Sequence, residues 1–231
     1  MTAAPVKLVV FDCDGTLVDS QHGIVAAMTD AFAAEGLAPP PRERVLEVVG
    51  LSLAIAVARL VPEASDLERI DRMAEAYKEA FAARRRRADH AEPLYDGIRD
   101  TLQKLAADGG VRLGIATGKS RRGVDAVLER EGLAGLFHTI QTADTHPSKP
   151  HPAMVLAAMS ESDAAPHDTV VIGDTTYDIE MALSAGAAAV GVSWGYHPVS
   201  ALRAAGAHHV TADCAELDRV LGLLLPHRLT A

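Results

Sequence analysis

Two short segments of the 231-residue chain each carry a closely spaced pair of carboxylates. FDCDGT places Asp12 and Asp14 two residues apart, and GDTTYD places Asp174 and Asp178 four apart. Two more segments offer groups that could hold an anion: ATGKS, with Thr117, Gly118, Lys119 and Ser120, and SKPHP, with Lys149. Gathered into one crevice, the four aspartates against the single Lys149 charge leave a formal −3. Like charges at contact distance repel by about 1 kcal/mol per pair in water, and by several times more in a partly dry site. Such a cluster needs a cation or a raised pKa. Oxygen ligands without His or Cys favour Mg²⁺ over Zn²⁺. A Mg²⁺ site beside a phosphate-shaped turn is the apparatus of phosphoryl chemistry.

Each piece alone has a plainer reading. A strand that ends in Asp ordinarily marks a helix cap, and the hydroxyls of Thr117 and Ser120 ordinarily cap the next helix. Lys149 suits a solvated lysine in a rigid turn. Gly118-Lys119-Ser120 resembles the end of a nucleotide-binding loop, but that loop needs a glycine five residues before Gly118, where Leu113 stands. A helix N-terminus beside a glycine remains a ready phosphate site. Position turns the pieces into a site.

The apolar run 6–11 (VKLVVF) reads as a buried strand that ends at the acidic turn. Runs 113–116, 169–172 and 187–192 read the same way, and 138–141 more weakly. Helical periods lie between them at 96–107, 120–131, 150–159 and 178–185, with Gly109-Gly110, Gly132 and Gly186 as stop signals. Strand and helix in alternation predict an α/β fold, a doubly wound parallel sheet covered on both faces. In such sheets ligands bind outside the carboxyl ends of the strands. Asp12 and Asp14, Thr117 to Ser120, and Asp174 with Asp178 all follow strands, and Lys149 stands before the helix that leads into the 169–172 run.

One region breaks the rhythm. Residues 21–91 show helical periods and no strand, far more chain than the dozen or so residues a crossover needs. The expected division is a catalytic core of 1–20 and 92–231, with an all-helical insertion, 21–91, standing over the sheet edge. No internal repeat or low-complexity tract is visible.

Composition sets the outer limits. With 48% hydrophobic and 23% charged residues the chain is ordinary globular material. It can bury roughly 70–75% of its unfolded surface, enough for a core and a satellite domain. A net charge of −9 argues against nucleic acid or an anionic membrane as partner. Two cysteines, Cys13 and Cys214, make no disulfide framework and fit a reducing compartment. No signal peptide or bilayer-spanning run is visible, so the expectation is a soluble, cytoplasmic protein, monomeric or homodimeric.

FDCDGTLVDS (11–20), ATGKS (116–120), SKPHP (148–152) and GDTTYDIEMA (173–182) resemble the four motifs of the haloacid dehalogenase superfamily, in that family's order and spanning the whole core. The first and last are highly specific. The insertion after the first motif resembles the family's C1 cap, and the chain looks most like its phosphoglycolate-phosphatase-type members. The resemblance implies a phosphatase with Asp12 as nucleophile, forming an aspartyl-phosphate, and Asp14 as acid and base. The family's true dehalogenases lack an acid at the Asp14 position. Thr117 and Lys149 would complete the catalytic set. Mg²⁺ would be held by Asp12, the Asp14 carbonyl and Asp174, with Asp178 a ligand through water or an orienting group. Gly15, Thr16, Gly118 and Lys119 would meet the phosphate, and Gly50 and Ser52 the rest of a small phosphorylated metabolite, phosphoglycolate-like or a sugar phosphate. Sharing these motifs, a phosphomutase is the alternative; a non-catalytic phosphate-binding regulator is another.

Residues 84–87, four successive arginines, could meet a substrate carboxylate. Four successive helical residues spread over about 300°, however, so one or two at most can face the site. His146 and His151 read as loop histidines, and Cys13 should point into the core. Trp194 and Tyr196 should support the sheet end.

Overall fold

The computed structural model describes residues 6–61, 66–86 and 92–225. Six strands, β1 (Lys7–Phe11), β2 (Val111–Thr117), β3 (Thr139–Thr142), β4 (Thr169–Gly173), β5 (Ala188–Val192) and β6 (His209–Thr211), form one parallel sheet in the order β3-β2-β1-β4-β5-β6. Phe11 pairs with Ile115 on one side and Ile172 on the other. The chain therefore winds outward from β1 in both directions, which opens a crevice at the carboxyl end of that strand. Asp12 is the first residue beyond it.

Side-chain alternation along β1 sends Leu8 and Val10 to one face and Val9 and Phe11 to the other. On the first face they meet helices α7 (Ala153–Ser162), α8 (Thr176–Ser184) and α9 (Val199–Ala204) through Met154, Ala158, Ile179 and Leu202. On the second they meet α5 (Ile98–Ala107), α6 (Arg121–Arg130) and α10 (Cys214–Leu224) through Leu102, Val124, Val127 and Leu217. Cys13 packs in this second core, as expected.

Four helices intervene between β1 and α5: α1 (Gln21–Ala34), α2 (Arg42–Leu46), α3 (Leu53–Leu60) and α4 (Leu67–Arg85). They bury a core of their own, including Ile24, Met28, Phe32, Val57, Met73 and Phe81. An element with a separate core can move as a body on the sheet. Residues 62–65 and 87–91, with Arg87 and the expected end of the insertion at 91, lie outside the described residues.

The structure differs from the sequence reading in several places. β6, α9 and α10 were not anticipated: a three-residue edge strand and a six-residue helix are too short to show periodicity, and the longer α10 was missed with them. Within 21–91 the helical periods are interrupted: Arg42–Leu46 is a short helix, and a turn follows up to Gly50. Gly132 and Gly186 do adopt left-handed conformations after their helices, but Gly109 and Gly110 do not. There the chain leaves α5 through an extended Asp108, whose carboxylate accepts the Gly110 N–H at 3.0 Å. α7 begins at Ala153, three residues later than expected.

Leu102 on α5 is fully buried. Leu102→Ala should cost about 2–5 kcal/mol of unfolding free energy through lost burial and a cavity. Urea denaturation measures it, and a loss below 1 kcal/mol would mean that this face is loosely packed.

Candidate active site

The first acidic turn is shaped by what lies behind it. Gly15 takes φ +89°, and a Cβ there would collide with the Asp174 carboxylate. The turn can therefore draw the β1 and β4 ends together only with glycine at this position. Thr16 donates its hydroxyl to Asp174 Oδ1 at 2.8 Å, and the Tyr196 N–H donates to Asp174 Oδ2 at 2.9 Å. Thr16 thus holds an acid and does not present its side chain to the cavity above. Trp194 donates its indole N–H to the Thr16 carbonyl at 3.1 Å, so Trp194 and Tyr196 brace this end of the sheet.

Lys149 sits wholly buried among the acids. Its ammonium lies 2.6 Å from Asp12 Oδ1 and 2.6 Å from Asp178 Oδ1. Asp178 is fixed twice over: its Oδ2 accepts the Thr175 N–H at 3.0 Å and the Thr175 hydroxyl at 2.6 Å, a capping box at the start of α8. Burial opposes charge on Lys149, but its two carboxylate partners outweigh it and hold the amine firmly protonated. Asp12 is pushed up to about 6, by burial first and then by the Asp178 charge, against the pull of Lys149. Burial, with the charges of Asp178 and Asp12, holds Asp174 well above the carboxylate range.

Carboxylate oxygens of Asp12, Asp174 and Asp178 lie within 4.8 Å of one another. Asp12 Oδ2 is buried and has no hydrogen-bond partner. A bare carboxylate oxygen in a crowd of like charges is what a hard divalent cation satisfies, so the donor set fits Mg²⁺.

Asp14 has different company. Its Oδ1 accepts the Ser20 hydroxyl and the Lys119 ammonium, each at 2.6 Å. Lys119 also pairs with Glu92 at 3.2 Å. Glu92 is almost wholly buried and further binds Arg85 of α4, at 3.0 and 3.2 Å, and Arg130 of α6, at 3.3 Å. This node joins the helical insertion, the core and Asp14. Sequence reasoning missed Glu92, because one glutamate before a proline carries no spacing signal; only the fold brings Lys119, Arg85 and Arg130 to it.

Asp12, Asp14, Thr117, Gly118, Lys119, Gly50 and Ser52 all line one cavity between the insertion and the sheet edge. Lys149, Asp174, Asp178, Gly15 and Thr16 stand beneath it. Ser120 caps α6 through the Gly123 N–H at 3.2 Å, and the Thr117 hydroxyl accepts the Lys119 N–H at 3.2 Å. Gly118 is where the insertion touches the core, since a Cβ there would lie 2.6 Å from the carbonyls of both Gly50 and Leu51. The Ser52 N–H donates to Ser148 at 2.8 Å. Arg84 turns away to Asp30 at 2.6 Å, and Arg85 is taken by Glu92. His146 bonds to Gln141, and His151 accepts the Ala153 N–H, so both serve their own loops.

A parallel sheet with two carboxylates beyond its first strand, a buried lysine and a second acidic pair defines a class of hydrolase. The family model described as Haloacid dehalogenase-like hydrolase matches residues 9–192, and the chain belongs to that family. Curated relatives are named phosphatases. The chain is 37% identical over 201 residues to "Probable phosphatase IndB" of Dickeya dadantii, covering 86% of each. It is 32% identical over 193 residues to a phosphoglycolate phosphatase of Pseudomonas putida, covering 83% of this chain and 71% of that one. A solved hydrolase from Pseudomonas syringae superposes with a TM-score of 0.82 at 27% identity, over 94% of this chain and 98% of the other. The family and the acid set make this chain an enzyme of the phosphatase kind. No helix among the described residues is long and apolar enough to cross a membrane.

Glu92 gives the site a pH signature. Burial pushes its carboxyl up, but Lys119 and Arg85 outweigh that and bring it down to about 2. A depressed carboxylate contributes stability above its ordinary value of 4.5 and loses it as pH falls toward 2. That gap corresponds to about 3 kcal/mol. Urea unfolding should show Glu92→Gln less stable than wild type by roughly this amount at pH 6, with the difference shrinking below pH 4.5. A difference independent of pH would mean that the Glu92 charge does not matter.

Proposed function

We propose that the chain is a Mg²⁺-dependent phosphomonoester hydrolase, acting on a small phosphorylated metabolite, phosphoglycolate-like or a sugar phosphate, through an aspartyl-phosphate on Asp12. One observation carries this reading. Asp12 and Asp14 line one cavity yet have opposite surroundings: Asp12 is gripped from below by Lys149 with one oxygen bare, while Asp14 is held at the cavity side by Ser20 and Lys119. Carboxylates in unlike environments can divide the roles of nucleophile and acid.

An Asp12 oxygen attacks phosphorus, and the bond from phosphorus to the leaving oxygen breaks as Asp14 gives that oxygen its proton. Asp14, now a carboxylate, takes a proton from water as that water attacks the same phosphorus, and the bond to Asp12 breaks to release phosphate. The Thr117 hydroxyl and the backbone N–H of Gly118 orient the phosphoryl oxygens, and Lys149 and Lys119 balance their charge, while the Gly15 N–H is spent on the Val18 carbonyl at 2.9 Å. Thr16 and Asp178 act as props, holding Asp174 and Lys149. Asp12, the Asp14 carbonyl and Asp174 would hold Mg²⁺, which supplies positive charge to offset phosphate against carboxylate.

We assign 1–20 and 92–231 to the catalytic core and 21–91 to a cap that carries Gly50 and Ser52 to the substrate. A closed cap excludes water during transfer and opens to release product. The charge of −9 supports a cytoplasmic enzyme with a small-molecule partner and neither nucleic acid nor membrane.

Asp12→Asn should lower turnover of a generic aryl phosphate by at least about 10³-fold while the melting temperature holds or rises, since the change is isosteric and removes one of the crowded charges. Wild-type turnover by that variant, with deamidation excluded, overturns the mechanism. Asp14→Asn should accumulate acid-stable phospho-enzyme from substrates with good leaving groups, because the second step lacks its base. Chelation should abolish activity and Mg²⁺ restore it. Mg²⁺ should raise the melting temperature of wild type but not of Asp174→Ala. Full activity after exhaustive chelation rules the metal out.

A further inference from the structure

The cavity above the acids is larger and more apolar than a two-carbon acid needs. It holds about 970 Å³. The insertion is seated on the core beside it: Gly50 and Leu51 press on Gly118, Ser52 is tied to Ser148, and Arg85 is locked on Glu92. Pockets of roughly 300–1,000 Å³ enclose drug-sized ligands, whereas a phosphoryl group with glycolate would leave most of this one empty.

The wall chemistry narrows the occupant. Ile24 and Met28 of α1, with Val45 and Val49, face the cavity across from Tyr77 and Phe81 of α4. The two rings stack on each other with centroids 5.7 Å apart and planes 22° apart, and Phe81 also carries the Arg85 guanidinium at 4.8 Å and the Lys119 ammonium at 5.2 Å from its centroid. The Tyr77 hydroxyl also stands on this wall and makes no hydrogen bond to another described residue. Burial keeps it a neutral phenol, able to donate or accept.

Cations that could greet a substrate carboxylate are otherwise engaged or outlying. Along the wall Lys78 pairs with Glu75, Arg85 with Glu92, and Lys119 with Asp14 and Glu92. Arg86 and Arg122 are exposed at the rim. A charged tail deep in the cavity would lose its hydration away from the exposed Arg86 and Arg122, whereas a ring would gain from apolar burial and from contact with Tyr77.

We propose that the leaving group is an uncharged, ring-bearing alcohol, its ring lying against Tyr77 and the apolar wall and a polar substituent reaching the Tyr77 hydroxyl. This rests on the phosphatase reading and narrows its substrate class away from phosphoglycolate.

The test compares kcat/KM, with Mg²⁺, for benzyl phosphate and a nucleoside 5′-monophosphate against ethyl phosphate and phosphoglycolate, in wild type, Asp12→Asn and Tyr77→Ala. Ethyl and benzyl phosphates carry similar leaving oxygens, so their ratio reads the ring. At least one ring substrate should exceed ethyl phosphate and phosphoglycolate by about tenfold or more, a modest return for burying a ring. Which of the two leads says whether the ring comes with a sugar. Tyr77→Ala should shrink that ratio by at least about fivefold. Ring substrates no better than ethyl phosphate, or a ratio untouched by Tyr77→Ala, would overturn the proposal. If Asp12-dependent turnover persists in those cases, the phosphatase reading stands without it. Absence of Asp12-dependent turnover on all four substrates would sink both.

Discussion

A lysine ammonium with no exposed surface sits between two carboxylates, Asp12 and Asp178, at 2.6 Å from each. Burying three charges is expensive, and well-packed apolar groups in their place are often as stable or more so. The fold is arranged around meeting that cost. β1 and β4 must lie side by side so that Asp12 and Asp178 reach the same ammonium, and α8 must start with a capping box so that Asp178 has its other oxygen filled. Gly15 must lack a side chain so that Asp174 can stand against the first turn. In this cluster the side-chain oxygen left without a hydrogen-bond partner is Asp12 Oδ2.

Above this fixed floor the constraint changes from charge to close approach. The insertion has its own core, so its position on the sheet depends on a few contacts: the Gly50 and Leu51 carbonyls over Gly118, Tyr177 donating to the Glu47 carbonyl at 3.0 Å, and the Glu92 node. Glu92 is unusual among them, because one carboxylate holds Arg85 of the insertion and Lys119 of the core while Lys119 holds Asp14. Seating the insertion and orienting Asp14 are thereby one electrostatic event.

The parts legible in the sequence were those that chemistry writes as spacing. Buried strands read as apolar runs, and the acids follow them directly, so Asp12, Asp14, Asp174 and Asp178 could be placed at one edge before any coordinates. The gathering of Lys149 into that edge was also expected. What stayed hidden is tertiary. Nothing local separates Arg85, which turns to a buried glutamate, from Arg84, which turns to a surface aspartate. Glu92 is a single residue with no pattern. β6 has three residues, too few for an alternation to read. Thr16 could be named from its motif, but that its hydroxyl points back to Asp174 depends on how closely β1 and β4 pack.

The division between floor and roof bears on how such an enzyme can change substrate. The floor is a set of mutually dependent charges, in which losing the Lys149 ammonium would leave Asp12 and Asp178 buried and unpaired, at a cost of several kcal/mol. The roof is mostly apolar, formed by side chains such as Ile24, Met28, Val45 and Val49, where exchanges that conserve volume cost under about 1.5 kcal/mol. Substitutions are therefore tolerated along the apolar roof and punished among the charges of the floor. The Glu92 node sits on the boundary: its charges belong to the floor, yet Arg85 stacks over Phe81 of the roof, with the guanidinium 4.8 Å from the ring centroid. A change of roof that disturbs Phe81 thus reaches Asp14 through Arg85, Glu92 and Lys119. This ring is the place where substrate choice and acid–base geometry cannot vary independently.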